Sequence, residues 1–395
     1  MLKPFSDKVA GVAPSAIREI LKFTADPEVI SFAAGNPAPE AFPTDKIAAI
    51  SAEIFRDEPI NALQYSVTEG YPKLRKWLED DLRSKNIFKD GDMLIVTAGA
   101  QQAIEVTAKI LCNEGDVIIC ENPSFIGSLN SFRSYGVHLI GVSMDEQGMK
   151  PDELEAVLKA NPKTKFIYTI PNFQNPTGNT TTLARRKEVL ALAKKYGVYV
   201  LEDNPYGALR FAGEDVPCYK ELDGGKNVLY AGTFSKVLAP GLRVGYLCGD
   251  AEVVSKAVVG MQTSTVHTNI WAQLLAYRFV TEHDFNAHIK GLQEIYRNKY
   301  RIMADALKKN LPDFVQLSEP QGGLFIWATL PDKYDMNAFC LEAVKRKVAV
   351  VPGNAFNADE SAVSHSFRLN FSTPTNEQIE KGCEILGKCA KELLV

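Results

Sequence analysis

The sequence predicts an α/β protein, with a mainly parallel seven-stranded sheet covered by helices on both faces and a smaller α+β domain attached. Three observations predict it. Between about residues 90 and 250, short apolar runs alternate with helical patterns, as parallel strands joined by right-handed helical crossovers do. Several of those runs are uniformly apolar, so both faces of the sheet are expected to be covered. After residue 310 a second set of strands and helices follows, with its own candidate core.

The predicted strands are Met93–Thr97, Asp116–Cys120, Val137–Val142, Lys165–Thr169, Val198–Leu201, Asn227–Ala231 and Arg243–Cys248. Helices fit between most of them, at Ala100–Leu111, Ser124–Tyr135, Pro151–Ala160 and Thr182–Tyr196. Only a short loop separates the last two strands, so one of them is expected to run antiparallel. Helical patterns then dominate to about Asn310, and the long segment Asp284–Asn310, charged on one side, is suited to bridge two domains. Beyond it come strands at Gly323–Thr329, Val348–Val351 and Phe367–Phe371, and helices at Met336–Arg346 and Asn376–Leu394. The first 44 residues hold a helix, Ser15–Phe23, and the loop Ala34-Gly35-Asn36-Pro37-Ala38-Pro39. The expected division is a large domain over 45–285 and a small one made of 1–44 with 286–395.

Composition narrows the function. A chain of 395 residues, 46% hydrophobic and 23% charged, fits a globular enzyme. A net charge of -4 with dispersed basic residues gives no field for nucleic acid or an anionic membrane. No apolar run is long enough to span a bilayer, and the N-terminus lacks a signal-peptide core. Seven cysteines make no CxxC pair and sit mostly in apolar segments. They read as buried thiols in a reducing compartment, the cytoplasm. The five histidines lack metal-ligand spacing, so no metal is expected. Dinucleotide and P-loop motifs are absent.

The densest chemistry lies in Thr233-Phe234-Ser235-Lys236 followed by Pro240-Gly241-Leu242-Arg243. A lysine amine attacks carbonyls to form Schiff bases. An arginine grips phosphate as a planar fork, and two hydroxyls beside the lysine can donate to the same phosphate. The set suits a phosphorylated aldehyde, of which pyridoxal phosphate is the common one. A surface lysine beside a structural arginine is the alternative. Four further groups fall at or after strand ends, where ligands bind in open parallel sheets. Asp203 can pair with a cofactor's pyridine nitrogen or cap a turn, and Tyr206, three residues on, favours the first. Asn175, in Asn175-Pro176-Thr177-Gly178, offers an amide or marks a plain turn. Gly99, Ala100 and Gln101 open a helix whose N–H groups can face a phosphate. Phe125 can stack on a planar ring or fill the core. Two arginines can read substrate. Arg368 lies in the strand Ser366-Phe367-Arg368-Leu369-Asn370-Phe371, where a carboxylate clamp would explain a charge. Arg18 lies on the first helix, where a solvated face accounts for it as well.

In order and spacing, these motifs resemble the fold-type I, class I/II pyridoxal-phosphate aminotransferases, and within them the 2-aminoadipate, kynurenine and multi-substrate group. The resemblance runs from Ile17-Arg18-Glu19-Ile20-Leu21 and Ser31-Phe32-Ala33-Ala34-Gly35-Asn36-Pro37 through Gln64-Tyr65-Ser66 and Gly70-Tyr71-Pro72 to Arg368. It implies that Lys236 joins pyridoxal 5'-phosphate and moves the substrate proton. Asp203 would hold the pyridinium, and Asn175 and Tyr206 the ring oxygen. Gly99, Ala100, Gln101, Thr233, Ser235 and Arg243 would hold the phosphate. Tyr65 would reach the other subunit's cofactor, which makes the protein a homodimer with shared sites. Arg368, Asn175 and the Gly35 backbone would bind the α-carboxylate, and Arg18 an acidic side chain. Ala100 departs from the serine frequent in relatives, Phe125 from tyrosine or tryptophan, and Asn36 alters the substrate loop. The implied reaction is ping-pong transamination between an amino acid and a 2-oxo acid, with glutamate and 2-oxoglutarate as one pair. The donor would be 2-aminoadipate or an aromatic or branched-chain amino acid. A lyase or decarboxylase on the same scaffold is the alternative. A regulator would need a DNA-binding domain of about 50 residues or more, and the pattern already begins by residue 17.

Overall fold

The computed structural model describes Ser6, Lys8 and residues 26–394. The predicted helix Ser15–Phe23, with Arg18, lies outside the described residues. The strands are β1 (Ile30–Ser31), β2 (Asp92–Thr97), β3 (Val117–Asn122), β4 (His138–Asp145), β5 (Gly148–Met149), β6 (Thr164–Thr169), β7 (Tyr199–Asp203), β8 (Val228–Thr233), β9 (Gly245–Asp250), β10 (Gln316–Leu317), β11 (Phe325–Thr329), β12 (Val348–Ala349), β13 (Val351–Pro352) and β14 (Ser366–Asn370). The helices are α1 (Thr44–Asp57), α2 (Pro59–Leu63), α3 (Pro72–Ser84), α4 (Ala100–Leu111), α5 (Ile126–Arg133), α6 (Pro151–Ala160), α7 (Leu183–Tyr196), α8 (Tyr219–Leu222), α9 (Ala251–Gln262), α10 (Ile270–Glu282), α11 (Phe285–Asn310), α12 (Met336–Lys345) and α13 (Asn376–Leu393).

The large sheet has the order β2-β9-β8-β7-β6-β3-β4-β5. It holds all seven predicted strands and adds the two-residue β5, which hairpins back on β4. The expected antiparallel strand is β9, which runs against both β2 and β8. Strands β4, β3, β6, β7 and β8 are parallel throughout. Their side chains are buried on alternate faces alike: Ile118, Ile119, Val200 and Leu201 are all at 0% exposure. Removing both faces of such strands from water is the main stabilising term, roughly 25 cal/mol per Å² of apolar surface.

A four-stranded antiparallel sheet, β10-β11-β14-β13, forms the smaller domain's centre. One expectation is corrected here. Val348–Val351 is not one strand, because β12 pairs in parallel with β1 while β13 pairs with β14. The chain changes partner at Val350, and the β1–β12 pair joins residues 30–31 to the C-terminal part. Helix α11 begins at the Asp284 cap, whose side chain accepts from Ala287 N–H. It then packs along α13. Among the described residues, no helix is long and apolar enough to cross a membrane.

This topology places the ends of β2, β3, β6, β7 and β8 along one edge of the sheet. The segments carrying Gly99, Phe125, Asn175, Asp203 and Lys236 follow those ends.

Candidate active site

At that edge lies a cavity of about 310 Å³, lined by Gly35, Asn36, Ala100, Gln101, Phe125, Asn175, Asp203, Tyr206, Thr233, Ser235, Lys236, Arg243 and Arg368, with Ile104, Ile170 and Phe325. A larger cavity of about 370 Å³ lies behind the Asn204–Ala208 turn. It holds neither the lysine nor the buried arginine, so the chemistry belongs to the smaller one.

Lys236 follows β8, and its Nζ donates to Gly35 O at 2.6 Å. Burial, and then the positive charges of Arg368 and Arg243, lower its amine to about 8. Asp203 ends β7 and is buried. Its Oδ2 accepts from the Tyr168 hydroxyl at 2.8 Å, and its Oδ1 has no partner among the described residues. Burial pushes this carboxyl up to about 7, with Glu121 acting in the same direction and Tyr168 and Lys236 opposing. Tyr206 is buried edge-on to Phe325, with ring centres 5.9 Å apart. Burial raises its phenol, and Arg368 partly offsets this.

Arg368 is 1% exposed in the middle of β14. Its Nη1 donates to Asn175 Oδ1 and its Nη2 to Ala33 O, each at 2.7 Å. The guanidinium lies 4.2 Å from the centre of the Phe325 ring and 5.0 Å from that of Phe356, a cation–π arrangement. Among the described residues its Nε has no partner, and burial lowers the guanidinium to about 10. Among the described residues no carboxylate pairs with it, and a desolvated cation in that state costs several kcal/mol, which an incoming carboxylate would relieve. The loop that faces it is anchored through its backbone. Ala33 O accepts from Arg368 and Gly35 O from Lys236, while Asn36 O accepts from Ser372 at 2.6 Å and Thr373 at 3.0 Å.

Across the cavity Arg243 sits at φ 53° and donates from Nη2 to Ala98 O at 2.8 Å. Its Nη1 is 3.4 Å from Ser235 Oγ. Thr233 Oγ1 is 2.9 Å from Ser235 Oγ and 3.2 Å from Val244 O. Gly99 caps α4 at φ 76°, and a Cβ there would come within 2.3 Å of Arg243 Nη2. Only glycine lets the arginine lie against the opening turn of α4, whose free N–H groups attract an anion. Gln101 Nε2 donates to Gly127 O at 3.0 Å. A Cβ on Gly127 would strike the tip of the Phe125 ring at 2.5 Å, so the ring sits close against bare backbone.

These residues fit pyridoxal phosphate by their donor chemistry. An arginine, a serine and a helix start suit the phosphate. An unsatisfied carboxylate oxygen suits a cationic ring nitrogen, and an amine of lowered pKa suits the aldehyde. Every predicted site residue lines the cavity except three. Gly99 lies just behind its wall, against Arg243. Arg18 lies outside the described residues, and Tyr65 is 81% exposed and touches His267 edge-on at 5.8 Å. The sequence reading missed Phe325, Tyr168 and Ser128. A tyrosine inside the apolar strand 165–169 was the available signal, because a buried phenol needs a partner.

The chain belongs to the class I and II aminotransferases, whose family model matches residues 27–386. It is 38% identical to the aromatic-amino-acid aminotransferase 1 of Thermococcus litoralis, over 99% of this chain and 94% of that one. It is 36% identical to the 2-aminoadipate transaminase of Thermus thermophilus, over 100% of this chain and 99% of the relative. The crystal structure of Pyrococcus horikoshii kynurenine aminotransferase superposes with a TM-score of 0.94 at 37% identity, covering 99% of this chain and 98% of that one. This chain is therefore a pyridoxal-phosphate-dependent aminotransferase of fold type I, and a lyase or decarboxylase is not favoured.

Proposed function

We propose that this aminotransferase moves an amino group between an α-amino acid and a 2-oxo acid, with glutamate and 2-oxoglutarate as one pair. The observation that carries the reading is Arg368. It is a buried cation with an unpartnered Nε, bonded to Asn175 and facing the same cavity as Lys236 and the free Asp203 Oδ1. When bound, pyridoxal phosphate supplies an aldehyde to receive the amino group and a cationic ring that draws electron density from the substrate Cα. Arg368 grips the α-carboxylate as a fork, with Asn175 and the Gly35 backbone beside it. Lys236, uncharged above about pH 8, takes the proton from Cα. Asp203 would hold the ring nitrogen, and Tyr206 and Asn175 would hold the ring oxygen. Arg243, Ser235, Thr233 and the start of α4 would hold the phosphate, and Phe125 would cover the ring.

The wall formed by Ile104, Phe125, Ile170 and Phe325 suits an aromatic or branched donor. An acidic donor such as 2-aminoadipate would depend on Arg18. A homodimer with shared sites belongs to the same reading. The exposed apolar run Ile60, Leu63, Tyr65 and Val67 supports it, because such surface suits burial against a partner. The division at 45–285 against 1–44 with 286–395 and a cytoplasmic location complete it.

The test is an absorption spectrum of the loaded protein with single amino acids, followed by 2-oxoglutarate. A visible band that shifts with a donor and returns with the oxo acid supports the reading, and Lys236→Ala abolishes the cycle. Turnover at wild-type rate without the lysine would overturn it.

A further inference from the structure

Behind Asp203 lies a chain of polar groups sealed from water. Ser128 Oγ donates to the Tyr168 hydroxyl at 2.7 Å, and that hydroxyl donates to Asp203 Oδ2 at 2.8 Å. Ser128 and Tyr168 are both fully buried, so no solvent competes for these bonds. The direction follows from the groups themselves. An ionised carboxylate only accepts, so the phenol proton must point at Asp203 and the phenol oxygen is left to accept from Ser128. Phe132 packs edge-on against the Tyr168 ring, with centroids 5.3 Å apart and planes at 76°. That contact fixes where the hydroxyl sits.

We infer that Ser128 and Tyr168 are positioning residues, which occupy Asp203 Oδ2 so that Oδ1 alone is presented to the cofactor ring. The inference rests on the reading that Asp203 holds the ring nitrogen. Among the described residues Oδ1 is the carboxylate oxygen without a partner, and an unsatisfied buried oxygen is costly until a donor arrives. The chain also ties two contacts to one element. Ser128 lies one turn after Phe125, and its N–H bonds Phe125 O at 3.0 Å. Helix α5 and its N-cap residue Phe125 therefore carry both the ring proposed to cover the cofactor and the start of the chain that aims its carboxylate. Two other charged groups bear on Asp203: Glu121 from β3, which disfavours its ionised form, and Lys236 from beyond β8, which favours it. Tyr168 acts on the same side as Lys236 and opposes burial.

The experiment measures pyridoxal phosphate affinity of the full-length protein against pH for wild type, Tyr168→Phe, Ser128→Ala and the double variant. Melting temperature monitors folding in parallel. Tyr168→Phe is expected to weaken binding about tenfold, the effect of losing a hydrogen bond to a charged group, and to move the acid limit of binding to higher pH. At saturating cofactor, kcat falls while KM for the amino acid stays. Ser128→Ala moves the same quantities less, and the double variant is no worse than Tyr168→Phe, because both act through one bond. A Tyr168→Phe protein with wild-type affinity and an unmoved acid limit overturns the inference, as do additive losses. Wild-type protein that takes up no pyridoxal phosphate overturns the reading of the site, and the inference with it.

Discussion

At the scale of single residues, the site is a set of charges held in disfavoured states. Lys236 lies in a buried setting beside two guanidinium groups, which lowers its amine from the ordinary 10.5 to about 8. In the apoprotein the amine is thus uncharged above about pH 8, and its proton returns as pH falls through that value. The rate at which apoprotein captures pyridoxal phosphate should rise with pH toward 8 and then level off. Stopped-flow growth of the visible band measures it, and a rate still climbing well above pH 8 would mean that the burial does not act. Arg368 follows the same logic with the opposite remedy, because an arginine stays charged when buried and waits for an anion.

At the scale of elements, the proposed phosphate cradle depends on one glycine. Gly99 has a positive φ and no room for a Cβ beside Arg243. Gly99→Ala should cost about 1–3 kcal/mol of stability, the usual size of such backbone strain, and should weaken pyridoxal phosphate binding as Arg243 is displaced. Thermal melting and cofactor titration check both, and unchanged affinity would remove Arg243 from the cradle. The sequence made much of this legible. Helix α4 spans the predicted Ala100–Leu111, and Lys236, Asp203 and Asn175 could be read because short signatures after strand ends sit where open sheets bind ligands. Contacts set by register across the sheet were not legible. Tyr168 and Asp203 lie on neighbouring strands, 35 positions apart in the chain, and nothing local in the apolar run 165–169 names the partner. The split of 348–351 between two sheets was hidden likewise, since four apolar residues read as one strand whichever neighbour each half pairs with. Phe325 looked like core, and only the fold brings it under the Arg368 guanidinium.

At the scale of the molecule, Tyr65 decides whether one chain suffices. It lies outside the cavity lining, within an exposed apolar run, and the proposed homodimer has it reach the partner's cofactor. If so, Lys236→Ala and Tyr65→Ala proteins should complement each other. In a mixed dimer one site carries both changes and the other neither, so random mixing restores about a quarter of wild-type activity. A co-refolded mixture no more active than its parents would place Tyr65 elsewhere. The 33–36 loop has a different consequence. Its ties to Arg368, Lys236, Ser372 and Thr373 run through carbonyl oxygens, which every amino acid possesses. The strap therefore keeps its place whatever side chain stands at Asn36, which is exposed at the mouth of the cavity. Selection can rewrite substrate preference there while the machinery for amino transfer stays assembled.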